Sequence, residues 1–227
     1  MPKILEVIVT SADEAVEAQM GGADRLELAR SLEDGGLTPA PEVVRDVLRA
    51  VSIPVRVMLR ESASMATQDA AETDLLKDRA RRFGELPVDG FVLGFAKNGS
   101  VDLDTTEEVL ASAPHCPVTF HRAFEHAADP LNAIARLKRL PQVDRLLTRG
   151  CPGTVHERRL RLVRWQEAAG PTIKILVGVG TSAEFLAAIK EEQALSEVHA
   201  GRAARIPQTY SGAISRDRIA ALKSALQ

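Results

Sequence analysis

The sequence predicts an α/β protein whose eight strands close into a single (β/α)8 barrel. Eight short apolar segments alternate with eight helical segments, and 227 residues suffice for one such barrel. No linker or composition break separates the units, so we expect one domain over residues 1–227. A weak repeat, two units long, introduces the second, fourth and sixth strands with segments 23–28, 88–93 and 143–148. A closed barrel favours such a repeat because every unit meets the same surroundings.

An open, doubly wound parallel sheet is the alternative architecture. That fold would place a glycine-rich, phosphate-binding turn directly after the first strand. The chain instead has Thr10, Ser11, Ala12 and Asp13 at this point. The closed barrel is therefore the preferred interpretation.

The strands are predicted from runs of apolar and β-branched residues that end in polar or glycine positions. Pro54 and Pro117 open the third and fifth of them. In chain order the predicted strands are residues 4–10, 25–29, 54–60, 90–95, 118–124, 145–148, 174–179 and 197–200.

Each strand is followed by a segment with apolar residues at helical spacing, as in the stripe of Leu76, Ala80 and Phe83. Capping residues mark where most of these helices begin. The predicted caps are Ser11 with Glu14, Thr38 with Pro39, Asp104 with Glu107, Asp129 with Pro130, Thr154 with Glu157 and Thr181 with Glu184. The last helix carries the stripe of Ile219, Leu222 and Leu226.

The composition excludes several classes of function. Hydrophobic residues make up 45% and charged residues 26% of the chain, as in ordinary globular proteins. The net charge of −2 and the aromatic content of 4% argue against a nucleic-acid partner. No apolar run approaches the length of a membrane span, and the chain begins without a signal-peptide pattern, so we expect a cytoplasmic protein with no membrane partner.

Polar residues interrupt the strands at the edge where barrel enzymes hold their active sites. Glu6 and Glu27 lie within apolar strands, Arg60 ends the third strand, and His121 and Arg122 end the fifth. Because unpaired buried charge is costly, the arginines and His121 are expected to pair with the glutamates. These five residues form either a functional pocket or a structural ion network that plugs the barrel. His121 with the two glutamates could also bind a hard divalent ion, although the sequence names no metal.

A second candidate site follows the seventh and eighth strands. Gly178 and Gly180 end the former, and the latter ends in His199, Ala200, Gly201 and Arg202. Glycines let backbone amides approach a ligand, and an arginine can hold an anion with two hydrogen bonds. We therefore expect phosphate, sulfate or a carboxylate to bind between Gly180 and Arg202, unless the glycines only serve the turns.

Two specific blocks are Gly35-Gly36-Leu37-Thr38-Pro39 and Phe120-His121-Arg122-Ala123-Phe124. Together with the amino-terminal strand and segments 21–28, 57–60 and 143–148, they resemble the CutC family of copper-homeostasis proteins. The likeness spans residues 4–203. It implies a cytoplasmic TIM barrel, a homodimer or higher homo-oligomer, and a link to copper without a settled reaction. Members of that family usually carry a cysteine where this chain has Ala29.

Two functions therefore remain open. The resemblance implies copper binding, yet Cys116 precedes the fifth strand and Cys151 follows the sixth, at opposite barrel ends about 17–20 Å apart. Copper(I) prefers thiolate or thioether ligands, so one ion cannot use both cysteines of a subunit. The alternative is an enzyme for a small anionic metabolite, in which a glutamate and His121 act as acid and base while Arg60 and Arg122 hold a carboxylate or phosphate.

Overall fold

Eight parallel strands form a closed barrel in the computed structural model of the chain, which describes residues 3–180 and 182–227. Each strand pairs with the next along the chain, and the eighth pairs with the first. The predicted TIM-barrel fold is thus confirmed. The strands are β1 (Ile4–Val9), β2 (Arg25–Leu28), β3 (Val55–Met58), β4 (Gly90–Leu93), β5 (Val118–Phe120), β6 (Val143–Thr148), β7 (Lys174–Gly178) and β8 (Glu197–Ala200).

One helix follows each strand and packs on the outside of the barrel. The helices are α1 (Ala12–Met20), α2 (Pro41–Ala50), α3 (Ala70–Gly84), α4 (Leu103–Leu110), α5 (Pro130–Leu137), α6 (Val155–Ala169), α7 (Ala183–Lys190) and α8 (Arg216–Ala225). Among the described helices, none combines the length and the apolar character that a membrane crossing needs.

The apolar core lies mainly between the barrel and the helices. Strand residues that point outward, such as Val7, Leu26 and Phe91, pack with helix residues such as Leu76 and Phe185. A second, much smaller apolar cluster lies inside the barrel and contains Ile8, Ala29, Leu32, Met58 and Val92. Most of the remaining interior is therefore available to polar and charged side chains.

The fifth strand is shorter than the sequence predicts. It ends at Phe120, and residues 122–126 form a 3-10 helix instead of continuing the strand. The reason is local: the Nδ1 atom of His121 accepts a hydrogen bond from the backbone N–H of Ala123 and caps this short helix. The prediction of a strand over residues 118–124 is wrong beyond Phe120.

Two predicted helix starts are also wrong. Helix α2 begins after Ala40, with Pro41 as its first residue, because the hydroxyl of Thr38 is engaged with the backbone N–H and carbonyl of Arg60. Helix α4 is capped by Asp102, not by the predicted Asp104.

The capping box of Thr154 with Glu157 is confirmed. The predicted cap by Thr181 with Glu184 involves a residue outside the described part of the chain. Within that part, the side chain of Ser182 caps α7.

Candidate functional site

A cavity of about 340 Å³ opens at the carboxyl ends of the strands. Seven of the eight strands, or the loops that follow them, contribute residues to its wall. Most of the site residues predicted from the sequence lie in this wall, namely Glu27, Arg60, His121, Arg122, Gly178, Gly180, Gly201 and Arg202. Glu6 is the exception, since it does not line the cavity.

Glu6 lies in β1 beneath the cavity floor and is fully buried. Its Oε2 atom accepts a hydrogen bond from Nε of Arg25 at 2.6 Å, and its Oε1 atom lies 2.9 Å from Nδ1 of His199. Burial opposes the charged form, but the charge of Arg25 and the hydrogen bond to His199 outweigh it and hold the pKa of Glu6 well below its usual range. Glu6 is therefore an ionised carboxylate that is linked to the cavity wall by its hydrogen bond with His199.

The pairing of the two buried glutamates differs from the expectation. Arg60, Arg122 and His121 were expected to neutralise them, and this is wrong. Arg25 and His199 contact Glu6 instead, because β1 lies between β2 and β8 and places Glu6 level with both residues.

Glu27 lies in β2, in the cavity wall, and only 2% of its surface is exposed. Its Oε2 atom lies 3.6 Å from Nδ1 of His199 and has no hydrogen-bond partner among the described residues. Burial raises the pKa of Glu27 to about 7, with the charge of Glu6 acting in the same direction and the charge of His199 opposing it. A carboxyl group of this kind can both take up and release a proton near neutral pH.

His199 in β8 connects the two glutamates. Burial by itself would lower the pKa of His199, but the charge of Glu27 and the hydrogen bond to Glu6 raise it above the usual value. Since Nδ1 faces the carboxylates, Nε2 lies on the opposite edge of a ring that forms part of the cavity wall. The imidazole is thus oriented by Glu6 in the way that a carboxylate orients a catalytic histidine.

His121 lies across the barrel from this group, at the end of β5, and is 4% exposed. Its Nδ1 atom accepts from the N–H of Ala123, whereas its Nε2 atom is buried and has no partner among the described residues. Burial lowers the pKa of His121 to about 3, and the positive charge of Arg60 acts in the same direction. His121 is therefore a neutral imidazole, which does not suit the acid–base role expected from the sequence.

The arginines of the cavity wall fall into two groups. The guanidinium of Arg60 donates to the backbone carbonyls of Gly35, Gly36, Ala63 and Ser64, so it holds the loops after β2 and β3 together. A side chain at Gly35 would place its Cβ 2.9 Å from Nη1 of Arg60.

Arg122 is exposed and forms an ion pair with Glu125 at 3.0 Å. Arg149 and Arg202 are half-buried, and their guanidinium groups form no salt bridge within the described chain. The guanidinium of Arg202 lies 5.6 Å from the ring centre of Tyr210.

Sequence reasoning missed Arg149, Tyr210 and Glu125. Arg149 directly follows Thr148, the last residue of β6, so the rule that selected Arg122 could have found it. Glu125 accepts hydrogen bonds from the hydroxyl of Thr148 and the backbone N–H of Arg149, which joins the loops after β5 and β6.

No sequence pattern marks Tyr210 as a residue of the site. It reaches the cavity because the hairpin of residues 205–214 is fastened to α1 by the ion pair of Arg205 with Glu14.

The predicted anion site after β7 and β8 has an open side and a packed side. A Cβ atom at Gly180 would meet no described residue other than its chain neighbours within 4 Å, and its φ of +64° favours glycine. A Cβ atom at Gly201 would touch Tyr210 at 3.4 Å. Helix α7 begins at Ala183 and directs its amino end toward this edge of the barrel.

Glu6, Glu27 and His199 can each offer one metal-ligand atom, and these atoms lie within 4.8 Å of one another. The third member is His199, not His121 as the sequence analysis considered. However, both oxygens of Glu6 are already engaged, by Arg25 and His199, and Nδ1 of His199 faces that carboxylate. We therefore interpret the cluster as an ion-pair network and not as a ligand set.

The two cysteines provide no obvious copper(I) site. Both are free; Cys116 is buried just before β5, and Cys151 is half-buried after β6. Burial raises the pKa of both thiols, which disfavours the thiolate form that binds the metal. Neither cysteine lines the cavity, whose soft donors are the thioethers of Met58 and Met65.

A family model described as the CutC family matches residues 3–204. The human copper homeostasis protein cutC homolog is 34% identical over 197 residues, which cover 86% of this chain and 72% of the human protein. A CutC structure from Streptococcus agalactiae has a TM-score of 0.79 and 25% identity, covering 88% of this chain and 98% of that one. Orotidine 5'-phosphate decarboxylase from Pyrococcus horikoshii covers 98% of this chain and 99% of its own, with a TM-score of 0.65; at 11% identity it supports the fold alone.

Proposed function

The chain belongs to the CutC family of copper homeostasis proteins, and from this premise we propose that its barrel mouth binds a small anionic metabolite and transforms it by acid–base chemistry. The ligand carries a carboxylate or a phosphate. The cavity volume of about 340 Å³ suits a molecule of this size.

One observation carries the proposal. Arg149 and Arg202, two half-buried arginines without acidic partners among the described residues, line the same cavity as Glu27 and His199, whose facing atoms lie 3.6 Å apart. Arginines are rarely buried unpaired, and a guanidinium holds a carboxylate or phosphate through two parallel hydrogen bonds. The anionic group of the metabolite would be the missing partner.

The anion is best placed between Gly180 and Arg202. The open space at Gly180 leaves its backbone accessible, and the amino end of α7 adds partial positive charge. The ring of Tyr210, whose centre lies 5.6 Å from the Arg202 guanidinium, adds a cation–π contact that favours this position of the side chain. A ligand anchored here would place its remaining atoms toward Glu27 and His199.

Glu27 and His199 supply the chemistry in this proposal. Glu27 exchanges a proton near neutral pH, and His199, oriented by Glu6, presents Nε2 to the cavity. Arg60 serves the site indirectly by fixing the loops after β2 and β3. Arg122 lies at the exposed rim, where it can attract anions.

Calorimetric titration with inorganic phosphate and with pyruvate tests the binding part of the proposal. Arg202→Ala should weaken binding of at least one anion about 10-fold or more, because a charge-assisted hydrogen bond contributes about 1.5–3 kcal/mol. Arg49→Ala, at an exposed position in α2, is the matched control and should bind like the parent. Unchanged affinity in Arg202→Ala would exclude the anion site.

Copper binding is the second candidate, favoured by the family and by the two thioethers in the cavity wall. The donor set does not fit a tight copper(I) site: the cysteines lie outside the cavity, and Ala29 stands where the family usually has a cysteine. Copper(I) titration of Cys116→Ala/Cys151→Ala against the parent tests this. We expect equal binding, and loss of a tight one-to-one site would contradict it.

The remaining properties are proposals that rest on the resemblance to the family and, for the expected lack of nucleic-acid and membrane partners, on the composition. We place the protein in the cytoplasm, as a homodimer or higher homo-oligomer, with no nucleic-acid or membrane partner. The two free cysteines are compatible with a reducing compartment. Light scattering of the purified protein would give the oligomeric state.

A further inference from the structure

We propose that His121 is a neutral hydrogen-bond donor that holds a carbonyl oxygen of the ligand, and that Glu27 removes a proton from the carbon beside that carbonyl. The reaction class would be enolisation of a small anionic carbonyl compound. This inference rests on the proposed anion-binding function and specifies its substrate class and reaction.

The argument begins with the position of the proton on His121. Nδ1 lies 3.1 Å from the backbone nitrogen of Ala123, and because that nitrogen can only donate, Nδ1 must accept. A neutral imidazole that accepts at Nδ1 carries its proton on Nε2. The ring packs closely against Gly94, where a Cβ atom would lie 2.7 Å from Nδ1, so only glycine leaves it room.

The Nε2–H group of His121 is therefore a buried donor that lacks an acceptor among the described residues. A buried donor without a partner destabilises a fold by roughly 1–3 kcal/mol, so such groups are rare unless something outside the chain satisfies them. His121 belongs to the cavity wall, where burial and then the nearby charge of Arg60 lower its pKa and disfavour a protonated imidazole. The missing partner is best supplied by a ligand oxygen.

Glu27 provides the complementary group across the cavity. Its Oε2 atom is also buried without a hydrogen-bond partner, and it lies 3.6 Å from the imidazole of His199. A carboxylate base opposite a neutral imidazole donor is an arrangement that suits removal of a proton next to a carbonyl. The geometry thus assigns the base to Glu27 and the oxygen-binding role to His121.

The step balances without a co-reactant. The Glu27 carboxylate accepts the proton, the carbon–hydrogen electron pair becomes the carbon–carbon double bond, and the carbonyl electron pair moves to oxygen. The enolate oxygen accepts the Nε2–H hydrogen bond of His121. Return of the proton from Glu27 to the same carbon, as the oxygen re-forms the carbonyl, completes the exchange.

Exchange of carbon-bound hydrogen in D2O tests the step directly. Pyruvate, 2-oxoglutarate and dihydroxyacetone phosphate are the probes, and proton NMR follows the loss of the signal beside the carbonyl. We expect at least one probe to exchange faster with the protein than in buffer. Glu27→Gln should reduce the catalysed rate by about 10²–10⁴-fold, because a positioned base is lost.

His121→Asn is the variant for the donor. An asparagine at this position retains a side-chain oxygen to cap the short helix but removes the Nε2–H group. It should fold like the parent and reduce the exchange rate by about 10²–10³-fold. Nitrogen-15 NMR of the histidines of the parent should show His121 with its proton on Nε2, unchanged between pH 5 and 8.

The outcomes separate this inference from the proposed function. If a probe binds and none exchanges faster than with Glu27→Gln, enolisation is excluded while anion binding stands. If neither phosphate nor any probe binds, the proposed function fails, and this inference fails with it. A titration of His121 near pH 6.5, or a proton on its Nδ1, would overturn the assigned donor role even if exchange occurs.

Discussion

Charged side chains inside the barrel are paired differently in its two halves, the amino half and the carboxyl half of the strands. In the amino half, Arg56 donates to both oxygens of Asp144 at 2.7 Å, to Asp89 at 2.8 Å and to the hydroxyl of Thr119 at 2.9 Å. Arg25 likewise joins Glu6 and Glu197, each at 2.6 Å. In the carboxyl half, Arg149, Arg202, Glu27 and His121 line the cavity with polar atoms that lack such partners in the described chain.

This difference separates the charged residues that stabilise the fold from those that are available to a ligand. A single network runs through Asp89, Arg56, Asp144, Arg145, Glu197, Arg25, Glu6 and His199. Each guanidinium in it has a carboxylate, so the amino half is a structural plug. The network ends beside Glu27, where the unpaired atoms begin, and we assign these atoms to a ligand. The structural ion network considered from the sequence therefore includes Glu6, whereas a functional role for Glu27 is our proposal.

Breaking the plug should have the largest effect. Arg56→Met leaves Asp89 without its cation and Asp144 with Arg145 alone, and it removes four hydrogen bonds, so we expect a loss of about 3–5 kcal/mol in the free energy of unfolding. Urea denaturation measures it. Arg149→Met is the matched control in the carboxyl half and should change stability by less than about 0.5 kcal/mol. Equal losses of unfolding free energy in Arg56→Met and Arg149→Met would contradict the view that the paired arginines of the amino half stabilise the fold and Arg149 does not.

The next effect concerns the pH dependence of stability. Burial raises the pKa of Glu27 to about 7 in the folded protein, against an ordinary value of 4.5. Because the folded pKa is the higher one, the contribution of Glu27 is fully present below pH 4.5 and is lost as the pH rises through 7.

Glu27→Gln should therefore gain stability relative to the parent, by roughly 2–3 kcal/mol, between pH 5 and pH 8. Urea denaturation at both values measures the difference. Glu33→Gln, at the exposed rim of the same cavity, is the control and should show no such trend. A constant difference between Glu27→Gln and the parent would show that Glu27 titrates normally.

Arg60 sharpens the comparison, because it lies in the carboxyl half but is fully engaged with backbone carbonyls. Arg60→Met should cost about 1–2 kcal/mol of stability, more than Arg149→Met in the same cavity wall. Thermal unfolding of the two variants side by side gives the answer. If Arg60→Met is as stable as Arg149→Met, the loss of stability depends on where an arginine lies in the barrel and not on the hydrogen bonds that its guanidinium makes.

The sequence allowed the fold to be predicted because its signals are local. Apolar runs and capping residues such as Thr154 each lie within a few residues, and they predicted eight strand–helix units in the right order. The errors occurred where a side chain is engaged elsewhere. Thr38 binds the backbone of Arg60 instead of capping a helix, and His121 ends a strand by capping a 3-10 helix.

The site was only partly predictable because its pairings depend on strand register. The partner of Glu6 is His199, 193 residues away along the chain, and no local pattern reports that contact. The positions of Glu27 and His121 in the cavity wall followed from the rule that strand ends face the active site. The protonation states of Glu27 and His121 could not be predicted in this way, because they depend on burial and on neighbouring charges.

The most direct measurement is a crystal structure of the protein grown in phosphate. We expect the anion within hydrogen-bond distance of Arg202 or Arg149, near the backbone of Gly180, with the amino-half network around Arg56 unchanged. Crystals of Arg149→Met/Arg202→Ala under the same conditions should lack it. The opposite result would be a cavity without the anion, in which other side chains of the protein satisfy Arg149, Arg202 and Glu27; it would contradict the assignment of the carboxyl half to a ligand.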